Sequence, residues 1–268
     1  MPGLILMGAD HRVAPFDVRE KLAVTRAEMC SVLGQLSASA HVREVFVLST
    51  FNQTEIYVRG LSSALDDIRI FWLERSALAG DGMEPSLYQM RDSDAAHHLF
   101  LLGAGLDSAG LSHSQALAQI KESLAAAREA GTIGDYLDAL LSRSLRVARR
   151  ARREFGRDPE PEQVEQAREM LRQEACRFIR WAASRRATTA ISALKQRAEE
   201  IRRTELLRIE SKLAHLSPEE RQALETLTVS IVNKLLNPSR KALKGAAEDG
   251  DVSDYLRAAT ELFDLEDT

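Results

Sequence analysis

The run Ser49-Thr50-Phe51-Asn52-Gln53-Thr54-Glu55 sets three hydroxyls, two amides and a carboxylate between two apolar stretches, residues 45–48 and 56–58. Side chains of this kind orient a polar ligand by hydrogen bonding, and a carboxylate among them can carry a proton. Phe51, at the centre, can neither attack nor protonate anything. Ser49, Thr50, Asn52 and Thr54 read as the lining of a pocket, with Phe51 as its anomaly.

Three imidazoles, on His113, His98 and His11, are candidates for binding. A lone histidine is also commonly a surface or hydrogen-bonded residue, and His41, His97 and His215 are read as surface residues. Cys30 and Cys176 lie far apart with no Cys/His ligand spacing, so neither a disulfide framework nor a metal site is expected. Arg143, Arg146, Arg150, Arg153 and Arg157, spaced three and four apart, form one stripe on a helix, which Arg149 and Arg152 widen. Such a stripe can neutralise phosphates, and it equally suits a solvated face paired with acidic neighbours. No aromatics interleave with it, so base recognition along a single strand is not supported. The cluster from Gly103 through Gly105 to Gly110 is spaced GxGxxxxG rather than GxGxxG. No acidic residue closes a βαβ unit behind it, and it is not read as a cofactor loop.

The elements that would position these groups follow from hydrophobic spacing. Residues 4–7, 45–48 and 55–59 read as strands, and residues 16–39 and about 64–78 as helices. This alternation implies a small sheet with helices on one face. From His97 onward the pattern is almost all helical. The segment "RDPEPE" supplies a linker at 158–161 between residues 1–157 and 162–268. Residues 162–215 hold no Pro or Gly and form one helical pattern about 75 Å long. Ser217-Pro218-Glu219-Glu220 is a capping-box start, Pro238 follows an apolar helix, and a last helix lies near residues 254–265. The fold class is thus an α+β N-terminal domain followed by a long spinal helix and an all-α module. That module is read either as a dimerisation unit or as a bundle folding on itself.

Composition sets limits on these readings. The chain has 268 residues, 28% of them charged and 44% hydrophobic, with a net charge of -4, so any affinity for nucleic acid or membrane must be local. No run approaches a transmembrane span and no signal peptide is seen, so a soluble cytoplasmic protein without membrane insertion is expected.

The segments "MGADHRVAP", "LSTFNQTEIY", "HLFLLGAGLDS", "LRVARRARRE" and "LTVSIVNKLLNPSRKALK" resemble glutamyl-tRNA reductase, in the same order. The resemblance implies an enzyme that reduces glutamyl-tRNA with NADPH at the head of tetrapyrrole synthesis. Ser49, Thr50, Asn52, Thr54, Glu55, His11 and His98 match its motifs. Three departures decide the reading. The family's NADPH-binding domain would fall where "RREFGRDPEPEQVEQ" passes directly from one matched segment to the next. Phe51 stands where the family has its nucleophilic cysteine, and Gln53 where it has an arginine for the substrate carboxylate. A family glutamate is replaced by His113. No catalytic residue is therefore assigned, and the chain is read as a non-enzyme without NADPH.

These replacements make the pocket more apolar and add an imidazole, which suits a planar ligand with a metal to coordinate. The end product of the pathway that the resemblance implies commonly feeds back on its first enzyme. The leading expectation is a homodimer that binds haem b, with His113, His98 and His11 as candidate axial ligands. The alternatives are a tRNA(Glu)-binding protein using Arg143, Arg146, Arg150 and Arg153, and a regulatory partner of an authentic glutamyl-tRNA reductase.

Overall fold

The computed structural model describes residues 2–76, 87–107, 113–156 and 159–265. By contact the chain divides into two units, Met1–Phe178 and Ile179–Thr268. The first is built on a four-stranded antiparallel sheet of order β2-β3-β1-β4, formed by β1 (Gly3–Asp10), β2 (Val42–Ser49), β3 (Gln53–Gly60) and β4 (Tyr88–Arg91). Leu4, Ile5, Leu6 and Met7 in succession are no more than 2% exposed. Successive strand side chains point to opposite faces, so both faces of β1 are covered rather than the single face expected from the sequence. β4 carries no apolar run, so hydrophobic spacing does not mark it as a strand.

The helices of this unit are α1 (Phe16–Leu22), α2 (Met29–Ser37), α3 (Ala64–Ser76), α4 (Asp92–Ala104), α5 (His113–Glu129) and α6 (Asp135–Phe155). The helix expected over residues 16–39 is two helices. The Ala23 carbonyl accepts from Arg75 at 2.6 Å and the Val24 N–H donates to Ser49 Oγ at 2.9 Å, so both groups at the break are engaged outside the helix. Thr25 then donates through its N–H and its hydroxyl to Glu28 in a Thr-x-x-Glu turn. The last two residues of the expected helix at 64–78 lie outside the described residues.

Gly103 sits inside α4, where an added Cβ would lie 2.8 Å from Ser144 Oγ of α6. Ser144 in turn donates to the Leu99 carbonyl at 3.2 Å. The first glycine of the cluster is thus a close-packing residue, and Gly105 ends the helix in the left-handed region at φ 72°. Gly110 lies outside the described residues.

α7 (Pro161–Arg208) continues the chain, and the boundary between the units falls within it. Leu171 and Phe178, part of a seven-residue repeat in the sequence, are buried in the first unit, with the Phe178 ring 5.2 Å from that of Tyr136. In the second unit, Ala183, Ala187, Ala190 and Leu194 of α7 pack with Leu243, Ala246 and Ala247 of α8 (Pro218–Asp249) and with Leu256 and Ala259 of α9 (Ser253–Phe263). The Ser217 capping box forms as the sequence indicates. α8 does not stop at Pro238 but runs through it. The bond Pro238 cannot donate belongs to the Lys234 carbonyl, and both residues are exposed, so water can replace it. Among the described residues no helix is long and apolar enough to cross a membrane.

Candidate functional site

The 49–55 run closes the β2–β3 hairpin, with residues 50–52 as its turn. Thr50 N–H donates to the Gln53 carbonyl at 2.8 Å, and Thr50 Oγ1 accepts from the backbone N–H groups of Asn52 and Gln53. Ser49 Oγ lies 3.2 Å from Thr54 Oγ1 while accepting from Val24. Ser49, Thr50 and Thr54 therefore satisfy local partners, as short hydroxyl side chains at turns commonly do, rather than offering free hydroxyls to a ligand. Gln53 and Thr54 are buried, and Asn52 is half-buried.

Phe51 crowns this turn at 76% exposure. Its ring centroid is 5.7 Å from that of Phe16, itself 50% exposed. Arg19 holds the turn in place, donating to the carbonyls of Phe51 and Asn52 at 3.2 Å and to Ala14 at 3.1 Å. The result is an exposed aromatic pair on a fixed backbone.

Behind the turn lies a chain of alternating charges. The Arg12 backbone N–H and Nε donate to Asp10, at 2.8 and 2.6 Å. Its two terminal nitrogens donate to Asp107 at 3.0 and 3.1 Å, a fork-on-carboxylate pair. His98 Nδ1 is 3.2 Å from Asp107, and His98 Nε2 is 2.6 Å from Glu55 Oε1. Glu55, fully buried, also accepts from Tyr57 at 2.8 Å and from Tyr88. Gly8 lets these groups meet: a Cβ there would lie 2.8 Å from Glu55 Cγ and 3.2 Å from Tyr88.

Electrostatics follow from this geometry. Burial opposes a charge on His98, but the Glu55 carboxylate, with Asp107 behind it, holds its pKa above the ordinary imidazole value. Burial and then the Glu55 charge push the Tyr57 and Tyr88 hydroxyls upward, so both remain donors. Burial works against a charge on Asp10, but the Arg12 contacts outweigh it and its pKa is lowered.

Asp10, Arg12, Tyr57, Tyr88 and Asp107 were not singled out from the sequence. Only the Asp-x-Arg spacing beside His11 hinted at them. Among the histidines, His98 has both ring nitrogens engaged by carboxylates, which removes the free nitrogen an axial ligand needs. His11 is exposed, one residue beyond the Asp10–Gln53 strand pair, at the same end of the sheet as Phe51. His113 opens α5, and its side chain lies outside the described residues. His97, expected at the surface, is half-buried, and burial lowers its pKa.

The arginine stripe is partly neutralised. Arg143 and Arg150 reach Glu174 of α7 at 3.4 and 3.5 Å, and Arg150 also pairs with Glu154. Arg146, Arg149 and Arg153 are exposed, and Arg157 lies outside the described residues. Among the described residues no group of three or more His, Cys, Asp or Glu is arranged to hold a metal ion.

Residues 7–155 match the family described as glutamyl-tRNAGlu reductase, N-terminal domain, and residues 166–265 match the dimerisation domain of the same enzyme. Only residues 156–165 separate the two matches, leaving no room between them for a dinucleotide-binding domain. Glutamyl-tRNA reductase of Marinobacter nauticus is 36% identical over 149 residues, 56% of this chain and 35% of the relative. That of Stenotrophomonas maltophilia K279a is 37% identical over 173 residues, 64% of this chain and 39% of the relative. The chain thus spans well under half the length of the curated relatives it matches. The solved glutamyl-tRNA reductase from Methanopyrus kandleri superposes over 92% of this chain and 99% of that chain, with a TM-score of 0.63 at 14% identity, a likeness of fold.

Proposed function

The chain belongs to the glutamyl-tRNA reductase family, and we propose that it is a non-catalytic member that forms a homodimer and binds haem b or a related tetrapyrrole. The observation that carries this reading is Phe51 at 76% exposure against Phe16, at the position where the family's motif has its nucleophilic thiol. A ring cannot take up a glutamyl group, but two exposed aromatic faces give a planar apolar ligand a surface to stack on. His11, exposed at the same end of the sheet, is the axial ligand this arrangement favours, with His113 the other candidate. Gln53 leaves the site without the family's arginine at that position. Without a dinucleotide-binding domain between the matched segments, this reading needs no hydride donor.

The second unit supports the homodimer. Leu227, Ile231 and Leu235 recur every four residues along α8 at 57%, 48% and 72% exposure, an apolar stripe that a second copy would cover. The same surface would serve a mixed dimer with an authentic glutamyl-tRNA reductase. A tRNA(Glu)-binding role is the second reading, resting on the exposed Arg146, Arg149 and Arg153. With Arg143 and Arg150 drawn to Glu174, fewer cations remain for phosphates than the sequence stripe suggested.

A hemin titration tests the first reading. Purified protein is expected to give a saturable Soret band distinct from free hemin, shifted by His11→Ala and weakened by Phe51→Ser. A spectrum of free or adsorbed haem only, unchanged in both variants, sinks it. A salt-sensitive tRNA gel shift abolished by Arg146→Glu/Arg153→Glu, without hemin binding, would favour the second reading.

A further inference from the structure

A groove of about 490 Å³ runs between α7 and α8 in the second unit, and its functional lining is Arg180, Trp181, Lys244 and Glu248 over Ala187 and Ala247. Its volume lies within the roughly 300–1,000 Å³ that small organic ligands occupy. The groove exists because Ala187 and Ala247, 2% and 5% exposed, end at Cβ where the helices pack, so no long side chain fills the space above them. Trp181 supplies an apolar wall, with the Arg185 guanidinium 5.5 Å from its ring centroid.

Arg177, one turn earlier on α7, is spent on Glu174 at 2.7 Å, whereas among the described residues neither Arg180 nor Lys244 makes an ion pair. Lys244 and Glu248 stand one turn apart on α8 in the less favourable order for pairing. The stem of Arg180 is nonetheless placed: it runs beneath the turn after α8, where Gly250 adopts φ 91° and an added Cβ would lie 3.4 Å from Arg180 Cγ. Two cations against one carboxylate, beside an indole, define the chemistry the groove can recognise.

We infer that this groove binds a planar aromatic anion, its ring against Trp181 and its carboxylate or phosphate on Arg180 and Lys244. The site uses none of the residues of the Phe51 surface and stands whether or not haem binds there.

Benzoate and adenosine monophosphate, with inorganic phosphate as control, are titrated into the full chain by calorimetry and by Trp181 emission in a Trp72→Phe background. At least one aromatic probe is expected to bind saturably, and which of the two binds tells a carboxylate from a phosphate source. Arg180→Gln and Lys244→Gln are each expected to weaken binding about tenfold or more, while His11→Ala leaves it unchanged. Thr188→Trp, at an exposed position on the rim, is expected to block the groove without altering the fold. No saturable binding, equal binding of inorganic phosphate, or affinity indifferent to all three groove variants overturns the inference. So does loss of the dimer in Thr188→Trp by light scattering, which would assign the groove to a second copy of the chain.

Discussion

His98 Nε2 lies 2.6 Å from Glu55 Oε1, with the histidine 4% and the glutamate 0% exposed. The carboxylate at this distance offsets the burial that would otherwise strip the proton from His98. Tyr57 and Tyr88 donate to the same carboxylate, and Asp107 faces the other ring nitrogen. The pair therefore organises the whole end of the sheet.

Stability should depend on pH through His98. Its pKa is raised in the folded state, so the native protein binds this proton more tightly than the unfolded chain. The contribution is fully present below the unfolded value, about 6.5, and is lost as pH rises through the folded value. The midpoint of thermal unfolding should fall across that window in the wild type, and this slope should flatten in His98→Gln. An equal slope in both proteins would remove His98 as its source.

Gly8→Ala tests how tightly the cluster is packed. The new methyl would meet Glu55 Cγ at 2.8 Å and the Thr54 carbonyl oxygen at 2.9 Å, and the latter belongs to backbone that cannot swing away. Overpacking of this kind costs about 1–3 kcal/mol, read from urea unfolding. The imidazole titration of His98, followed by NMR, should move down as Glu55 is displaced. An unchanged midpoint and titration would show that the strand yields without cost.

Glu44 holds the start of α6. Its carboxylate accepts from the N–H groups of Leu137 at 2.7 Å and Gly134 at 3.1 Å, and it pairs with Arg59 at 3.2 Å, while only 7% of the residue is exposed. Glu44→Ala strands those donors and a cation, and should cost about 2–3 kcal/mol in urea unfolding. Glu44→Gln, which keeps an acceptor, should cost less. Equal losses in the two variants would point to packing rather than capping.

These contacts mark where the sequence stops being readable. The Ser217 capping box, the strand cores and the long helix follow from local spacing, which is carried by neighbours three, four or two residues apart. Glu44 with Leu137, and Glu55 with His98, are separated by 93 and 43 residues, and only the folded chain brings them together. The hydroxyls of Ser49, Thr50 and Thr54 have the same composition in a pocket wall and in a turn. Nothing local tells the two apart, and the partners decided it. Phe51 was legible as a departure from a motif, but its exposure follows from the hairpin's closure at Thr50.

The α8 stripe should control association. Ile231→Asp with Leu235→Asp places two carboxylates on an exposed apolar surface, so the isolated chain loses little. A dimer relying on that stripe should dissociate, with light scattering reporting one chain in place of two at micromolar concentration. Persistence of the dimer would move the interface elsewhere on the second unit.

Phe51→Cys tests the proposed non-catalytic reading by placing a thiol on the turn. The position is exposed, so the new cysteine should be labelled readily by a thiol reagent, and Arg19 should still fix the turn through backbone carbonyls that the substitution leaves intact. A thioester needs the thiolate together with a substrate held beside it, and Gln53 lacks the charge that an arginine would bring to a carboxylate. Reduction needs, in addition, a hydride donor seated against that thioester, and no dinucleotide-binding domain lies between the two matched segments. Labelling without any NADPH-dependent turnover of glutamyl-tRNA is therefore the expected result. Turnover by Phe51→Cys would show that the reductive machinery is supplied in some other way and that the ring alone silences it, and turnover by the wild type would end the non-catalytic reading outright.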